Sequence, residues 1–459
     1  MNPHIFRAYD IRGIAEKDLG DETMTSLGRA FGSAVRESGG ERVALGQDAR
    51  ESSPRIRNAL CKGLCEVGVS VADLGVVPTP VTYFAANFYD DVHGLVMITG
   101  SHNPPDHNGL KLGVGKMTMG GDDLLALKER IEQGRFATAS SPGEVEIREV
   151  LEPYLAYLEK NLSLGEKKPR VVIDAGNGTG GITAMPLLER LDVPSVGLFL
   201  DPDGTFPNHE ADPTIEANLV HLRAAMHEHG ADVGIAYDGD GDRIGVLDES
   251  GHVVWGDKLL TLFSRELLRE HPGAAIVGEV KCSQTLYEDI SAKGGRPIMW
   301  KTGHTLIKSK MKEEGAMLGG EMSGHIFFAD RYFGFDDACY ATGRLLEILS
   351  RTGRTIGELL SDLPSTFATP EIRVDCPEEI KFEVVRKLQE RLARGREVVT
   401  VDGVRVIYSD GWGLVRASNT QPLLVLRFEA KSEKRLQEIK NEVEEAVATV
   451  RGEFDGPGV

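Results

Sequence analysis

Short β-branched runs alternate with helical patterns through the first three-quarters of the chain, and no other feature restricts the fold as strongly. RVAL (Arg42 to Leu45), GLVMI (Gly94 to Ile98), VVI (Val171 to Ile173), VGIAY (Val233 to Tyr237) and AAIV (Ala274 to Val277) read as strands. Helical patterns fall between them. In one, Asp122 or Asp123 caps a helix with Leu124, Leu127 and Ile131 on one face and Gly134 at its end. Such alternation marks α/β layers built on largely parallel sheets.

The pattern changes near Thr366. A charged amphipathic segment from Glu378 to Arg394 precedes VVTVDGVRVIYSD, where Asp402-Gly403 reads as a tight hairpin turn. GLVRAS, LLVLRFEA and a helix from Ser432 to about Val450 complete an antiparallel α+β module. At roughly 150 residues per domain, the 459-residue length suggests about three domains. Softer breaks at ATASSPGE (Ala137 to Glu144) and LDESGH (Leu247 to His252) raise the expectation to four. These are α/β domains over 1–148, 149–250 and 251–366, then an α+β domain over 367–459.

The formal charge of −19 repels polyanions, so no nucleic-acid partner is expected and an anionic substrate needs a local basic pocket. No stretch approaches the ~20 apolar residues of a membrane span, and MNPHIFRAYD lacks the marks of a signal or transit peptide. The expected location is the cytoplasm. The five scattered cysteines read as reduced thiols with no zinc site; Cys61 and Cys65 fit burial on one helical face.

The strongest chemical signal is DGDGDR (Asp238 to Arg243), which follows the apolar VGIAY. Glycine lets the loop curl so that three alternating carboxylates converge on one hard cation, which suits magnesium better than zinc or copper. An EF-hand is excluded because Arg243 stands where that loop needs glycine and strand patterns flank it. TGSHNPPDHNGLK (Thr99 to Lys111) follows GLVMI and is rich in turn formers, so it reads as an exposed loop. A serine at such a strand end can carry a phosphoryl group, with His102, Asn103 and Lys111 nearby. GGEMSGH (Gly319 to His325) offers Glu321 and Ser323 to sugar hydroxyls, and RASNTQP (Arg416 to Pro422) groups a guanidinium with Ser418, Asn419 and Thr420 as a phosphate grip. Tyr9-Asp10-Ile11-Arg12-Gly13, Lys281 and Lys301-Thr302-Gly303-His304 add basic character. Gly176 to Gly181 fits a dinucleotide fingerprint with Asp201 beyond it, but that reading leaves the other motifs without a role. The segment is read as a strand-to-helix turn.

YDIRG, TGSHNPPDHNGLK, DGDGDR, GEMSGH and RASNTQP occur in the order and approximate spacing of the α-D-phosphohexomutase superfamily, and the chain most resembles its bacterial phosphomannomutase/phosphoglucomutase group. The resemblance spans the chain. It implies three similar α/β domains with mixed, largely parallel sheets, followed by a smaller α+β domain, around a central cleft. It makes Ser101 the phosphoserine and Asp238, Asp240 and Asp242 the Mg2+ ligands, with a phosphate oxygen on Ser101 completing the site. Arg12, Lys111, Arg243 and His304 resemble the basic residues near the phosphoryl group or substrate, with Lys281 and Tyr9 in support. Glu321 and Ser323 resemble hydroxyl readers with His325 as neighbour, and Arg416, Ser418, Asn419 and Thr420 a phosphate clamp. This chain has Gly100 where many relatives carry alanine, and Gln421 where threonine is common; neither change removes a functional group.

The implied reaction interconverts hexose 1-phosphate and hexose 6-phosphate, of mannose or glucose, through a hexose 1,6-bisphosphate that also serves as activator. Lys111 and His304 are both candidates for the proton acceptor. The alternatives are a phosphoglucosamine mutase, which the GEMSGH and SNT motifs disfavour, and a non-catalytic phosphosugar-binding protein, which would leave Ser101 and the aspartates unexplained. The sequence assigns no oligomeric state.

Overall fold

The computed structural model describes residues 1–418 and 421–454, and the chain divides into two compact units: 1–266 with 323–360, and 267–322 with 361–459. The first unit carries two mixed sheets. In one the order is Ile11–Ile14, His107–Val114, Gly94–Ile98, Arg42–Gln47, Ser70–Val76, Val145–Ile147. The last four strands run parallel and the first three pair antiparallel. Gly94–Ile98 is buried at every position, as a strand covered on both faces must be. Helices Asp21–Glu37 and Ser53–Glu66 cover one face through Leu27, Phe31, Ile56 and Leu64.

This topology has a direct consequence for the serine motif. The chain leaves Gly94–Ile98, turns through Ser101, and returns as the adjacent antiparallel strand His107–Val114, so Lys111 lies on a strand opposite Met97. The expected exposed loop is therefore corrected. Pro104, Pro105 and Asp106 are exposed, but Ser101 and Lys111 are each only 3% exposed, because HNGLK supplies ladder residues to the sheet centre.

The second sheet runs Val253–Val254, Ile244–Leu247, Val233–Tyr237, Val171–Asp174, Ser195–Leu198. Val233–Tyr237 and Ile244–Leu247 form an antiparallel hairpin whose loop is DGDGDR. The strand Val171–Asp174 reaches helix Gly181–Arg190 through the glycine-rich segment, a tight strand-to-helix turn.

In the second unit Arg296–Trp300, Ala275–Glu279 and Leu318–Gly320 pair in parallel. The C-terminal module is an antiparallel sheet in which Glu397–Val399, Val404–Tyr408, Gly411–Ala417 and Leu423–Ala430 follow one another as neighbours. Helices Lys381–Leu392 and Glu433–Gly452 cover it, the latter capped by Ser432 accepting from Arg435 N. Arg405 ties this module to the parallel strands of the same unit. Its buried guanidinium lies 3.8 Å from the Trp412 ring centroid and donates to the carbonyls of Val280 (2.6 Å) and Cys282 (2.8 Å).

One cap differs from expectation. Helix Asp122–Glu132 begins after Gly121 with no side-chain cap, so both aspartates sit in its first turn, where they face the positive end of the helix dipole. Among the described residues the five cysteines stand as thiols outside any disulfide, and Cys65 is only half-buried. Among the described residues no helix is long and apolar enough to cross a membrane.

Asp337 shows how the fold charges for a buried carboxylate. It caps helix Ala338–Thr352, accepting from Tyr340 N at 2.8 Å and from the Tyr154 and Tyr332 hydroxyls. Burial nevertheless raises its pKa to about 6. The folded state thus binds the proton more tightly than the unfolded chain does, so stability is fullest below pH ~4 and declines as pH rises through ~6. Chemical denaturation of Asp337→Asn from pH 4 to 7 should show the wild type losing on the order of 2 kcal/mol relative to the variant. A pH-independent difference would contradict this reading.

Candidate active site

The acidic hairpin loop and the serine turn meet within the first unit. Gly239 permits the approach: a Cβ there would lie 2.4 Å from the Ser101 carbonyl oxygen. Ser101 itself has φ +51°, a left-handed conformation that costs a non-glycine residue roughly 1–3 kcal/mol and must be held by its surroundings. Its hydroxyl donates to Asp238 Oδ2 at 2.9 Å and lies 3.0 Å from His102 Nδ1. A cavity of about 190 Å3, lined by Ser101, His102 and Pro104 on one side and Thr205, Phe206 and Glu210 on the other, leaves room beside this turn.

Asp238, Asp240 and Asp242 are fully buried, and one oxygen from each lies within 4.8 Å of the others. Lys111 Nζ donates to Asp240 at 2.6 Å and also to Asp242, while Thr79 donates its hydroxyl to Asp240. Burial and the two neighbouring carboxylates push the pKa of Asp238 well up. At Asp240 burial acts in the same direction, but the Lys111 ammonium and the Thr79 hydroxyl outweigh it and hold the carboxyl below its usual range. The reciprocal effect keeps Lys111 protonated: burial opposes its charge, and Asp240 and Asp242 more than restore it.

Asp240 Oδ1 and Asp242 Oδ1 are buried without a hydrogen-bond partner. Such orphaned oxygens, converging with a third carboxylate, fit a hard divalent cation with oxygen ligands. Arg243 Nε lies 4.0 Å from Asp238 Oδ2. Arg12 donates to Asn103 Oδ1 at 3.1 Å and to Asp10 at 2.5 Å; its strand pairs with His107–Val114, Arg12 opposite Gly109. Arg243 Nε donates to His325 Nε2 at 2.9 Å, and His325 Nδ1 lies 2.9 Å from the buried Asp336. Tyr9 is half-buried just before the Arg12 strand.

The second unit holds a separate polar chain of contacts. Lys281 Nζ pairs with Glu371 at 2.6 Å and lies 3.4 Å from Glu279. Glu279 accepts from the Thr302 hydroxyl at 2.6 Å and from Met322 N at 2.9 Å. Glu321 accepts from Gly303 N at 3.0 Å, and Asp402 accepts from Thr302 N at 3.1 Å and from Arg416 Nε at 2.8 Å. Lys281 holds the Glu371 carboxyl down to about 2. His304, at the start of helix His304–Glu314, is buried, as are Arg416 and Ser418, whereas Ser323 is half-buried. Asn419 and Thr420 lie outside the described residues.

Sequence reasoning passed over Asp48, Arg50, Thr79, Asp336, Glu279, Glu371 and Asp402. Asp48 and Arg50 had a usable signal, since they directly follow the strand Arg42–Gln47; the others are brought in by contacts remote in sequence.

Family models for phosphoglucomutase/phosphomannomutase match along the chain: alpha/beta/alpha domain I over residues 3–138, domain II over 152–251, domain III over 255–367, and the C-terminal domain over 371–446. The chain is 48% identical over 437 residues to the phosphomannomutase/phosphoglucomutase of Pseudomonas aeruginosa, spanning 95% of this chain and 94% of that protein. It is 43% identical over 445 residues to the phosphoglucomutase of Neisseria meningitidis serogroup A, spanning 95% of each. The crystal structure of a phosphoglucomutase/phosphomannomutase family protein from Burkholderia thailandensis matches with a TM-score of 0.92 at 42% identity, covering 99% of this chain and 98% of that one.

A cation held by three carboxylates of the folded state should stabilise that state by mass action, by ~2.7 kcal/mol at a hundredfold excess over Kd. Magnesium should therefore raise the melting temperature of the wild type, and Asp242→Asn should abolish most of that rise. An equal rise in both would remove Asp242 from the metal site.

Proposed function

The chain belongs to the phosphoglucomutase/phosphomannomutase family and is a phosphohexomutase, and from that premise we propose that Ser101 is the residue through which the phosphoryl group passes. The observation that carries this reading is the Ser101 hydroxyl donating at 2.9 Å to one of three buried, converging aspartates. The substrates are hexose 1-phosphate and hexose 6-phosphate, of mannose, glucose or both. Magnesium, bound by Asp238, Asp240, Asp242 and a phosphate oxygen on Ser101, would neutralise phosphate charge and make the phosphorus more open to attack.

The residues of the chain do the rest. With Ser101 phosphorylated, the O6 hydroxyl of hexose 1-phosphate attacks the phosphorus, the bond to Ser101 Oγ breaks, and hexose 1,6-bisphosphate forms. After the bisphosphate turns end over end, Ser101 Oγ attacks the phosphate on C1 and hexose 6-phosphate leaves. Arg12 and Arg243 face the phosphoryl oxygens. Lys111 is a charge neutraliser and not the base, because two carboxylates hold its proton. His325 accepts from Arg243 Nε through its Nε2 and orients that guanidinium, with Asp336 beside its ring, and the proton of the attacking hydroxyl passes to His304, the candidate that remains.

Glu321 and Ser323 read the ring hydroxyls. Arg416 and Lys281 hold the phosphate that is not being transferred, with Ser418, Asn419 and Thr420 completing that grip and Tyr9 in support. Asp402 and Glu371 pre-set the two cations before any ligand arrives. The location that goes with this reading is the cytoplasm, as the odd and scattered cysteines of the sequence suit reduced thiols.

A coupled assay on glucose 1-phosphate and mannose 1-phosphate, with hexose 1,6-bisphosphate added, should give turnover that Ser101→Ala largely removes. Turnover confined to glucosamine 1-phosphate would overturn the substrate assignment. Arg416→Ala should raise KM and also lower kcat, a loss of roughly 1.5–3 kcal/mol for a charge-assisted contact to phosphate. Unchanged constants would exclude Arg416 from the clamp.

A further inference from the structure

We propose that Arg50 is the positioning residue of phosphoryl transfer: it holds the backbone of the serine turn so that Ser101 Oγ is aimed correctly, an inference that rests on Ser101 being the phosphoryl carrier. Arg50 follows the strand Arg42–Gln47, and its side chain is fully buried. A guanidinium has five N–H donors, and here all five are engaged by protein. Nε donates to Asp48 Oδ2 at 3.1 Å. Nη1 donates to the carbonyls of Pro104 and His107, and Nη2 to those of Ser101 (2.9 Å) and Asn103.

Asp48 completes the clamp from the other side. Its Oδ2 accepts from Gly100 N at 3.0 Å, and its Oδ1 accepts from Arg50 N at 3.1 Å and the Ser53 hydroxyl at 2.7 Å. One buried ion pair thus holds five backbone groups between Gly100 and His107. A buried pair of this kind is weak evidence for stability but can specify a conformation. The conformation specified is the left-handed one at Ser101, φ +51°, whose carbonyl is the same atom that Gly239 of the acidic loop approaches. The guanidinium depends in turn on Gly100, where a Cβ would lie 2.5 Å from Arg50 Cζ. No Arg50 donor is left to bind substrate, so its effect must pass through the turn.

Lysine keeps the charge but not the planar fork, and its three donors cannot reproduce these contacts. Arg50→Lys should therefore lower kcat by about 100-fold, the scale of a misplacement near 1 Å, while KM changes less than about threefold. Asp48→Asn, which keeps the shape and loses the charge, should lower kcat by about tenfold with the same KM pattern. The test combines steady-state constants, melting temperature and a quenched single turnover that follows labelled phosphate from hexose 1,6-bisphosphate onto Ser101. Labelling should slow by the same factor as kcat, and guanidinium ion should partly restore it in Arg50→Ala. Folded Arg50→Lys that labels at the wild-type rate would overturn the proposal, as would a loss confined to KM. If Arg50→Lys does not fold, Asp48→Asn decides alone: wild-type labelling refutes, slowed labelling supports. A wild type that takes no label on Ser101 defeats the carrier assignment itself, which separates the two failures.

Discussion

Like charges concentrated in a dry place need a counter-charge, and that electrostatic constraint organises the first unit. Three aspartates of one hairpin loop are fully buried, and Lys111 reaches two of them from a neighbouring sheet. Coulomb repulsion at such spacing would otherwise force protonation or unfolding. The fold answers with one fixed ammonium and leaves two carboxylate oxygens without hydrogen-bond donors. Incomplete neutralisation of this kind suits a site that takes a metal and a phosphate, because each adds the charge that the other lacks.

The second unit follows a different logic. Its cations are already paired, Lys281 with Glu371 and Arg416 with Asp402. Pairing removes rotamer freedom from long side chains, so the phosphate proposed to bind them would meet donors that are already oriented. In that proposed clamp each carboxylate would share its cation with the incoming phosphate. A clamp of that kind would release as well as bind, as one set of donors serving either end of a bisphosphate must. The first unit instead holds a left-handed serine turn through the Asp48–Arg50 pair, which contacts Gly100 N and the carbonyls of Ser101 and Asn103.

Much of this was legible in the residues. The alternation of GLVMI, VVI and VGIAY with helical patterns located the strands, and the hairpin turn at Asp402-Gly403 lies between Glu397–Val399 and Val404–Tyr408. Strand ends marked where the serine and the aspartates had to be. Periodicity carried no information about pairing, however, and the pairing of Gly94–Ile98 with His107–Val114 is what puts Lys111 on a buried ladder and not in a loop. Asp336 left no mark in the sequence, and Arg50 left only its place after a strand, for a related reason. Each acts through partners far along the chain, His325 from another loop and the carbonyls of a turn some fifty residues away. A lone arginine after a strand resembles any solvated arginine until those carbonyls are in view.

The central claim is that the phosphoryl group passes through Ser101 Oγ. Intact-mass measurement with peptide mapping, after incubation with hexose 1,6-bisphosphate and magnesium, tests it most directly. A single added phosphate is expected within TGSHNPPDHNGLK, on Ser101, and it should be discharged when hexose 1-phosphate is supplied. Phosphate on any other residue, or full turnover by a protein that never carries one, would contradict it.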